Sequence, residues 1–173
     1  MADTQQSEGT QAFTAKEFRT ALGAFATGVT VITTHSGEHP YGMTANAFSS
    51  LSLDPPLVLV CVKIQAEGSQ IIERNGVFAV NVLGVEQEAL SRYFSSKDRP
   101  RGAEAFKEIS HRRGQSGSPI LEGAAAYLDC RLMARHPAGD HIIFIGEVLA
   151  LGVDSSVEPL LFHLGRYRYL KDA

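Results

Sequence analysis

The densest run of small hydrogen-bonding side chains lies in residues 42–56, where Thr44, Asn46, Ser49, Ser50 and Ser52 alternate with Gly42, Ala45 and Ala47 before the break at Asp54-Pro55-Pro56. Small side chains let a flat ligand approach the backbone, while hydroxyl and amide groups can bond its edges or a phosphate. The same composition suits an ordinary strand and loop with an exposed hydroxyl face, and residue types alone leave both readings open. Six histidines offer other chemistry. His136 and His141 flank a glycine turn and His35 and His39 flank another, but neither pair has helical spacing or cysteine support, so no metal site is expected. Cys61 and Cys130 each sit in an apolar stretch and read as small buried hydrophobes, with lining of a cofactor pocket as the alternative for Cys61.

Several chemistries are excluded by motif. No Gly-x-Gly-x-x-Gly follows a strand and no Walker loop is present, which removes a Rossmann dinucleotide turn and a phosphate cradle for nucleotide hydrolysis. No Gly-x-Ser-x-Gly elbow supports a hydrolase triad. Sixteen basic against nineteen acidic residues leave a net charge of -3, the wrong sign for a chain that neutralises nucleic-acid phosphates. The longest unbroken apolar run, residues 57–62, is far too short to span a bilayer, so no membrane partner is expected. The start of the chain lacks the basic and apolar regions of a signal peptide, and a cytoplasmic protein is expected. At 173 residues the chain suits one domain, over residues 13–173, behind a polar and mobile tail over residues 1–12.

Periodicity supplies the elements that must position these residues. Thr14 with Glu17 forms a capping box, and Phe13 with Phe18 a hydrophobic staple. Phe18, Ala21, Leu22 and Phe25 then predict a helix over residues 15–26 that docks one face on a core and ends before Gly28. Residues 29–34 and 41–48 read as a hairpin, and residues 57–62 as a central strand. A short helix over residues 68–74 closes at Asn75-Gly76, a strand follows around Phe78, Val80 and Val82, and a second helix covers residues 86–94. Residues 95–117 are polar, with six cations against three acids, and read either as a solvated mobile loop or as a docking surface. Residues 126–133 predict a half-buried strand with Asp129 on its outer side, turning at residues 136–140 into a partner over residues 142–151. An apolar and aromatic segment, residues 160–170, ends the pattern. Many strands joined by short turns, with helices inserted among them, predict a closed antiparallel barrel.

Five segments in order resemble the flavin reductase family, the flavin-binding split β-barrels that serve as reductase components of two-component flavin-dependent monooxygenases. They are Phe25-Ala26-Thr27-Gly28-Val29-Thr30-Val31-Ile32-Thr33; Gly42-Met43-Thr44-Ala45-Asn46-Ala47-Phe48-Ser49-Ser50 with its Leu53-Asp54-Pro55-Pro56-Leu57 tail; Gly76-Val77-Phe78-Ala79-Val80-Asn81-Val82-Leu83; Gly139-Asp140-His141; and Pro159-Leu160-Leu161-Phe162-His163-Leu164-Gly165-Arg166-Tyr167.

The resemblance implies a mainly β, Greek-key-like split barrel with a few peripheral helices. It implies a homodimer that binds FMN or FAD, takes hydride from NADH or NADPH, and supplies reduced flavin to a separate monooxygenase component. By position, Met43, Thr44, Ala45, Asn46, Ser49, Ser50 and Ser52 would line the flavin, with Cys61, Val62 and Lys63 beside its ring or ribityl chain and Phe94 and Ser95 toward its phosphate or adenosine end. Gly139, Asp140 and His141 resemble the nicotinamide-side motif, with Tyr167 as a neighbour and His141 as the catalytic candidate. One departure stands out. Where the family usually shows Ser-x-Ser/Thr leading into the short helix, this chain has Ala66 and Gly68, leaving Ser69, Lys63 and backbone N–H groups to hold a phosphate.

Overall fold

The structure is a computed structural model and describes residues 12–170; the tail over residues 1–11 and the last three residues lie outside it. Seven strands form one antiparallel sheet in the order β3-β2-β6-β9-β10-β5-β4. They are β2 (Thr30–Ser36), β3 (His39–Ala45), β4 (Phe48–Leu53), β5 (Pro56–Lys63), β6 (Val77–Val82), β9 (Ala126–Ala138) and β10 (His141–Val153). The edge strands β3 and β4 are consecutive in the chain and separated by Asn46 and Ala47 alone. A sheet whose first and last strands are joined end to end must roll up, although no ladder pairs them directly. The expected barrel is therefore split: mainly β and curled, but with an open seam at residues 46–47.

The smaller strands complete the frame. β1 (Thr27–Gly28), β11 (Leu161–His163) and β12 (Arg166–Arg168) form a three-stranded sheet, and β7 (His111–Arg113) pairs with β8 (Pro119–Leu121). Three helices are peripheral: α1 (Ala15–Gly23), α2 (Glu67–Asn75) and α3 (Glu88–Ser95).

Two apolar clusters lie on opposite faces of β2 and β6. Ile32, Val60, Phe78, Val80, Cys130 and Phe144 fill the inside of the curl, and Ile72 of α2 caps them. Val31, Leu83, Phe94, Phe106, Leu121 and Leu160 form the second cluster, where α3 and a short 3₁₀ turn over residues 102–106 cover the outer face. Because side chains alternate along a strand, β2 and β6 bury both faces. Asn81 and Thr33 are buried polar members of the outer layer. The Asn81 amide donates to the Val31 carbonyl at 3.1 Å and Thr33 Oγ1 at 3.0 Å, and its oxygen accepts from the Leu121 N–H at 2.8 Å, so every bond it brings inside is used.

Five sequence expectations are corrected. α1 has the capping box, and its staple rings stand 5.6 Å apart, but the helix stops at Gly23 and no residue of it is buried. Gly28 belongs to β1, paired with Leu161. Residues 48–53 form a strand and not a loop, because Asp54-Pro55 makes a two-residue hairpin turn that pairs Leu53 of β4 with Pro56 of β5. Residues 95–117 are not a free solvated loop: Phe106 is 3 % exposed, and Arg99 donates to the Gly42 carbonyl at 2.6 Å. Asp129, expected on the outer side, is fully buried and accepts from the backbone N–H of Ser116 at 2.8 Å and from its hydroxyl, since the 114–118 turn closes over it.

Candidate functional site

The open seam of the sheet is where the molecule has a cleft. β3 delivers Met43, Thr44 and Ala45, the link delivers Asn46 and Ala47, the end of β5 delivers Cys61, Val62 and Lys63, and the start of β10 delivers His141. These walls, with Phe94, Ser95 and Ser96 from the end of α3, enclose ≈ 450 Å³, within the range of ligand clefts. The floor is almost without side chains. Ala45 and Ala47 carry one carbon each, and the N–H groups of Asn46 and Ala47 donate to no acceptor among the described residues. The Asn46 amide has a single long contact, 3.4 Å to Thr27 Oγ1, and is otherwise free to bond a ligand edge. A planar ring with polar edges fits this cradle: small residues admit its face and unspent donors meet its rim.

The walls are held by named contacts. Gly42 is buried beneath Phe94, and a Cβ there would lie 2.6 Å from the ring, so only glycine lets α3 close against β3. Thr44 Oγ1 donates to the Ser91 carbonyl at 2.7 Å, which ties the same face of β3 to α3. The Arg99 guanidinium donates to the carbonyls of Ser96 and Gly42, both at 2.6 Å, and lies over the rings of Tyr41 and Phe94. Such charge-assisted bonds convert a polar loop into a wall.

At the other rim, β9 and β10 form a hairpin whose turn is Gly139, with φ +62°, and Asp140. The turn presents His141, and its Nδ1 is 2.7 Å from Asp140 Oδ1. That hydrogen bond, then the charge on the ring, holds the Asp140 carboxyl below the usual range. Burial pushes the Cys61 thiol up, so it faces the cleft as a neutral group. Burial, with Asp129 beside it, pushes Cys130 up to about 12, and that thiol is core.

Not every residue singled out in the sequence comes to this cleft. Ser49 and Ser50 are exposed on β4, Ser52 is farther along it, and none of the three lines the cleft of this chain. Ser69 is buried inside α2 at 1 % exposure. Tyr167 stands behind α3, its hydroxyl 2.8 Å from Ser91 Oγ and its ring under Arg92. Tyr41, Ala47, Ala66, Ser96, Lys97 and Arg99 line the cleft without having been singled out as ligand contacts. Lys97 and Arg99 had a signal in the positive charge of the 95–117 segment, and Ala66 in the family departure at the start of the short helix; Tyr41 had none.

The cleft continues into an arm of ≈ 470 Å³ that shares Tyr41, Lys63, Ala66, Lys97 and Arg99 with it and adds Glu67 and Arg101. The glycine at position 68 is explained here. A Cβ on Gly68 would sit 2.6 Å from the Tyr41 ring and 2.8 Å from Met43 Sδ, so the packing of β3 on α2 leaves no room for a hydroxyl-bearing side chain.

The model of the flavin reductase like domain matches residues 22–171. The chain belongs to the flavin reductase family. It is 41 % identical over 157 residues to the reductase subunit HsaB of a flavin-dependent monooxygenase from Rhodococcus jostii (strain RHA1), covering 91 % of this chain and 78 % of that one. It is 43 % identical over 157 residues to the NADH-dependent FMN reductase AsuE2 of Streptomyces nodosus subsp. asukaensis, covering 90 % and 85 %. Among solved structures, the NADH:FAD oxidoreductase SgcE6 of Streptomyces globisporus C-1027 superposes with a TM-score of 0.86 at 38 % identity, covering 99 % of this chain and 98 % of that one. The split barrel and its seam are thus the architecture of a flavin reductase, and the cleft stands where the two edge strands of that architecture meet.

Proposed function

We propose that the protein is an NAD(P)H-dependent flavin reductase that reduces FMN or FAD and supplies the reduced flavin to a separate monooxygenase component. The observation that carries this reading is the cradle at the seam, a backbone floor with unspent N–H donors at Asn46 and Ala47 in a cleft that the His141 imidazole also lines. A bound flavin supplies the redox chemistry by accepting hydride from the pyridine nucleotide at N5. The chain's part is positional. The Met43-to-Ala47 floor and the Asn46 amide hold the flat ring, Cys61 and Val62 bound it on the β5 side, and Lys63 offers a positive charge to a phosphate or to the anionic reduced ring. Gly139 lets the hairpin turn tightly, Asp140 orients the imidazole, and His141 donates from its other nitrogen to the carboxamide or phosphate of NADH or NADPH. No side chain has to move a proton in this scheme.

A homodimer is part of the proposal, and an uncovered surface supports it. Phe18, Leu22 and Phe25 along α1 and its exit are 50 %, 58 % and 77 % exposed, and Leu164 beside them is 50 % exposed. Apolar side chains so grouped mark an interface, and a second copy of the chain is its proposed occupant. No helix among the described residues is long and apolar enough to cross a membrane; action in the cytoplasm, where pyridine nucleotides are renewed, is part of the proposal.

The deciding assay is aerobic NADH oxidation with and without added flavin. Repeated turnover only when FMN or FAD is added supports a reductase. Turnover without added flavin points to an enzyme with a tightly held cofactor, and none under either condition points to a flavin carrier.

A further inference from the structure

We infer that the cationic arm of the cleft is a subsite for a diphosphate, through which this protein takes FAD in preference to FMN; the inference rests on the flavin reading above. Lys63, Lys97, Arg99 and Arg101 line the arm against one acid, Glu67. Lys63 and Lys97 form no ion pair among the described residues. Arg99 is committed to the carbonyls of Ser96 and Gly42, but its charge still faces the arm. Arg101 is held by Glu67 at 2.5 Å, with side chains 74 % and 46 % exposed. A pair that wet is weak, so Arg101 can exchange the carboxylate for a phosphate at small cost.

Hydroxyl recognition is closed off on the same wall. Ala66 caps α2 with no side-chain bond, and Gly68 cannot carry a larger group beside Tyr41 and Met43. On this wall the side chains left to meet a phosphate are the cations, which bind it strongly through charge-assisted bonds. Position then separates the two flavins. Lys63 lines both the ring cleft and the arm, whereas Arg101 lines only the arm. A single phosphate at the junction meets Lys63; a ligand that continues past it, as a diphosphate and adenosine do, meets Arg101 as well. The diphosphate of the pyridine nucleotide has the same chemistry, and the test separates that source from the flavin.

Dissociation constants for FAD and FMN are measured without pyridine nucleotide at low and high salt, and the Michaelis constant for NADH is measured with FMN as acceptor. The proteins are the parent, Lys97→Ala, Arg101→Ala and Glu67→Gln, all at exposed positions where truncation spares the fold. Arg101→Ala should weaken FAD about tenfold, one lost charge-assisted contact, with FMN changed less than about twofold, whereas Lys97→Ala, which like Lys63 removes a cation shared by the ring cleft and the arm, should weaken both flavins. Glu67→Gln should tighten FAD by about two- to fivefold by freeing Arg101, and the parent's preference for FAD should shrink with salt. Equal weakening of both flavins by Arg101→Ala would overturn the inference, because the arm would then serve the FMN phosphate. A raised Michaelis constant for NADH with flavin affinities unchanged would assign the arm to the pyridine nucleotide and overturn it too, as would no change at all. A parent protein that binds neither flavin would defeat the flavin reading itself, a result distinct from binding without preference.

Discussion

His141 and Lys63 stand directly opposite one another across the β10–β5 ladder. The register of two long strands therefore sets the distance between the imidazole proposed for the pyridine nucleotide and the ammonium proposed for the flavin, and no mobile loop intervenes. Replacing His141 by Ala should raise the Michaelis constant for NADH, or slow flavin reduction, by about tenfold for a lost interaction near 1.4 kcal/mol. Flavin affinity should hold. Stopped-flow reduction together with flavin titration checks both halves.

Asp140 gives a pH signature at the same turn. Its folded-state carboxyl titrates below the ordinary aspartate range, chiefly because of the hydrogen bond from His141 and then the ring's charge. A depressed carboxyl contributes stability that is present above its unfolded value and lost as pH falls through the folded one. Carbon NMR should place the Asp140 midpoint below that of exposed aspartates, and His141→Ala should return it to the ordinary range. An Asp140 that titrates normally in the parent protein would mean that the pair does not form in solution.

Cys61 reports on the cleft itself. It lines the seam half-buried, with its thiol pushed up by burial, while Cys130 is fully buried. A thiol reagent should modify Cys61 slowly at neutral pH and faster at alkaline pH, since the thiolate reacts. Saturating flavin should protect it. Cys130 should remain unmodified until the protein unfolds.

Asn81 tests the frame. Its side chain satisfies the Leu121 N–H and bridges to Val31 and Thr33 in a region with no water access. Asn81→Ala strands that N–H and should cost about 2–4 kcal/mol, read from denaturant midpoints. A loss under about 0.5 kcal/mol would place the outer layer's stability elsewhere.

What the sequence disclosed follows from which signals are local. The capping box of Thr14 and Glu17 and the left-handed Gly76 are each fixed by a few adjacent residues and stand where their spacing placed them, whereas the turn expected over residues 136–140 narrows to Gly139-Asp140 because β9 runs on to Ala138. The docking of α1 is not legible locally, because an apolar helix face says that something covers it, without saying whether the cover is in the same chain. The burial of Asp129 is not legible for the opposite reason. Alternation put it outside, and only the distant Ser116 turn makes burial affordable for a carboxylate. In the site, Met43, Thr44, Ala45 and Asn46 were legible as one contiguous run, yet Ser49, Ser50 and Ser52 continued the same composition onto a strand that leaves the cleft. Tyr41, Ala66 and Arg99 come together only through the β3–α2 and β3–loop contacts, which no short-range pattern encodes.

The most direct measurement is anaerobic mixing of the protein with excess FAD or FMN and NADH, followed by the flavin's visible absorbance. The account predicts bleaching of free flavin well beyond one equivalent of protein, at a rate that saturates in both flavin and NADH and falls on Asn46→Ala through weaker flavin binding. Bleaching no faster than in buffer alone, with the protein folded, would contradict it.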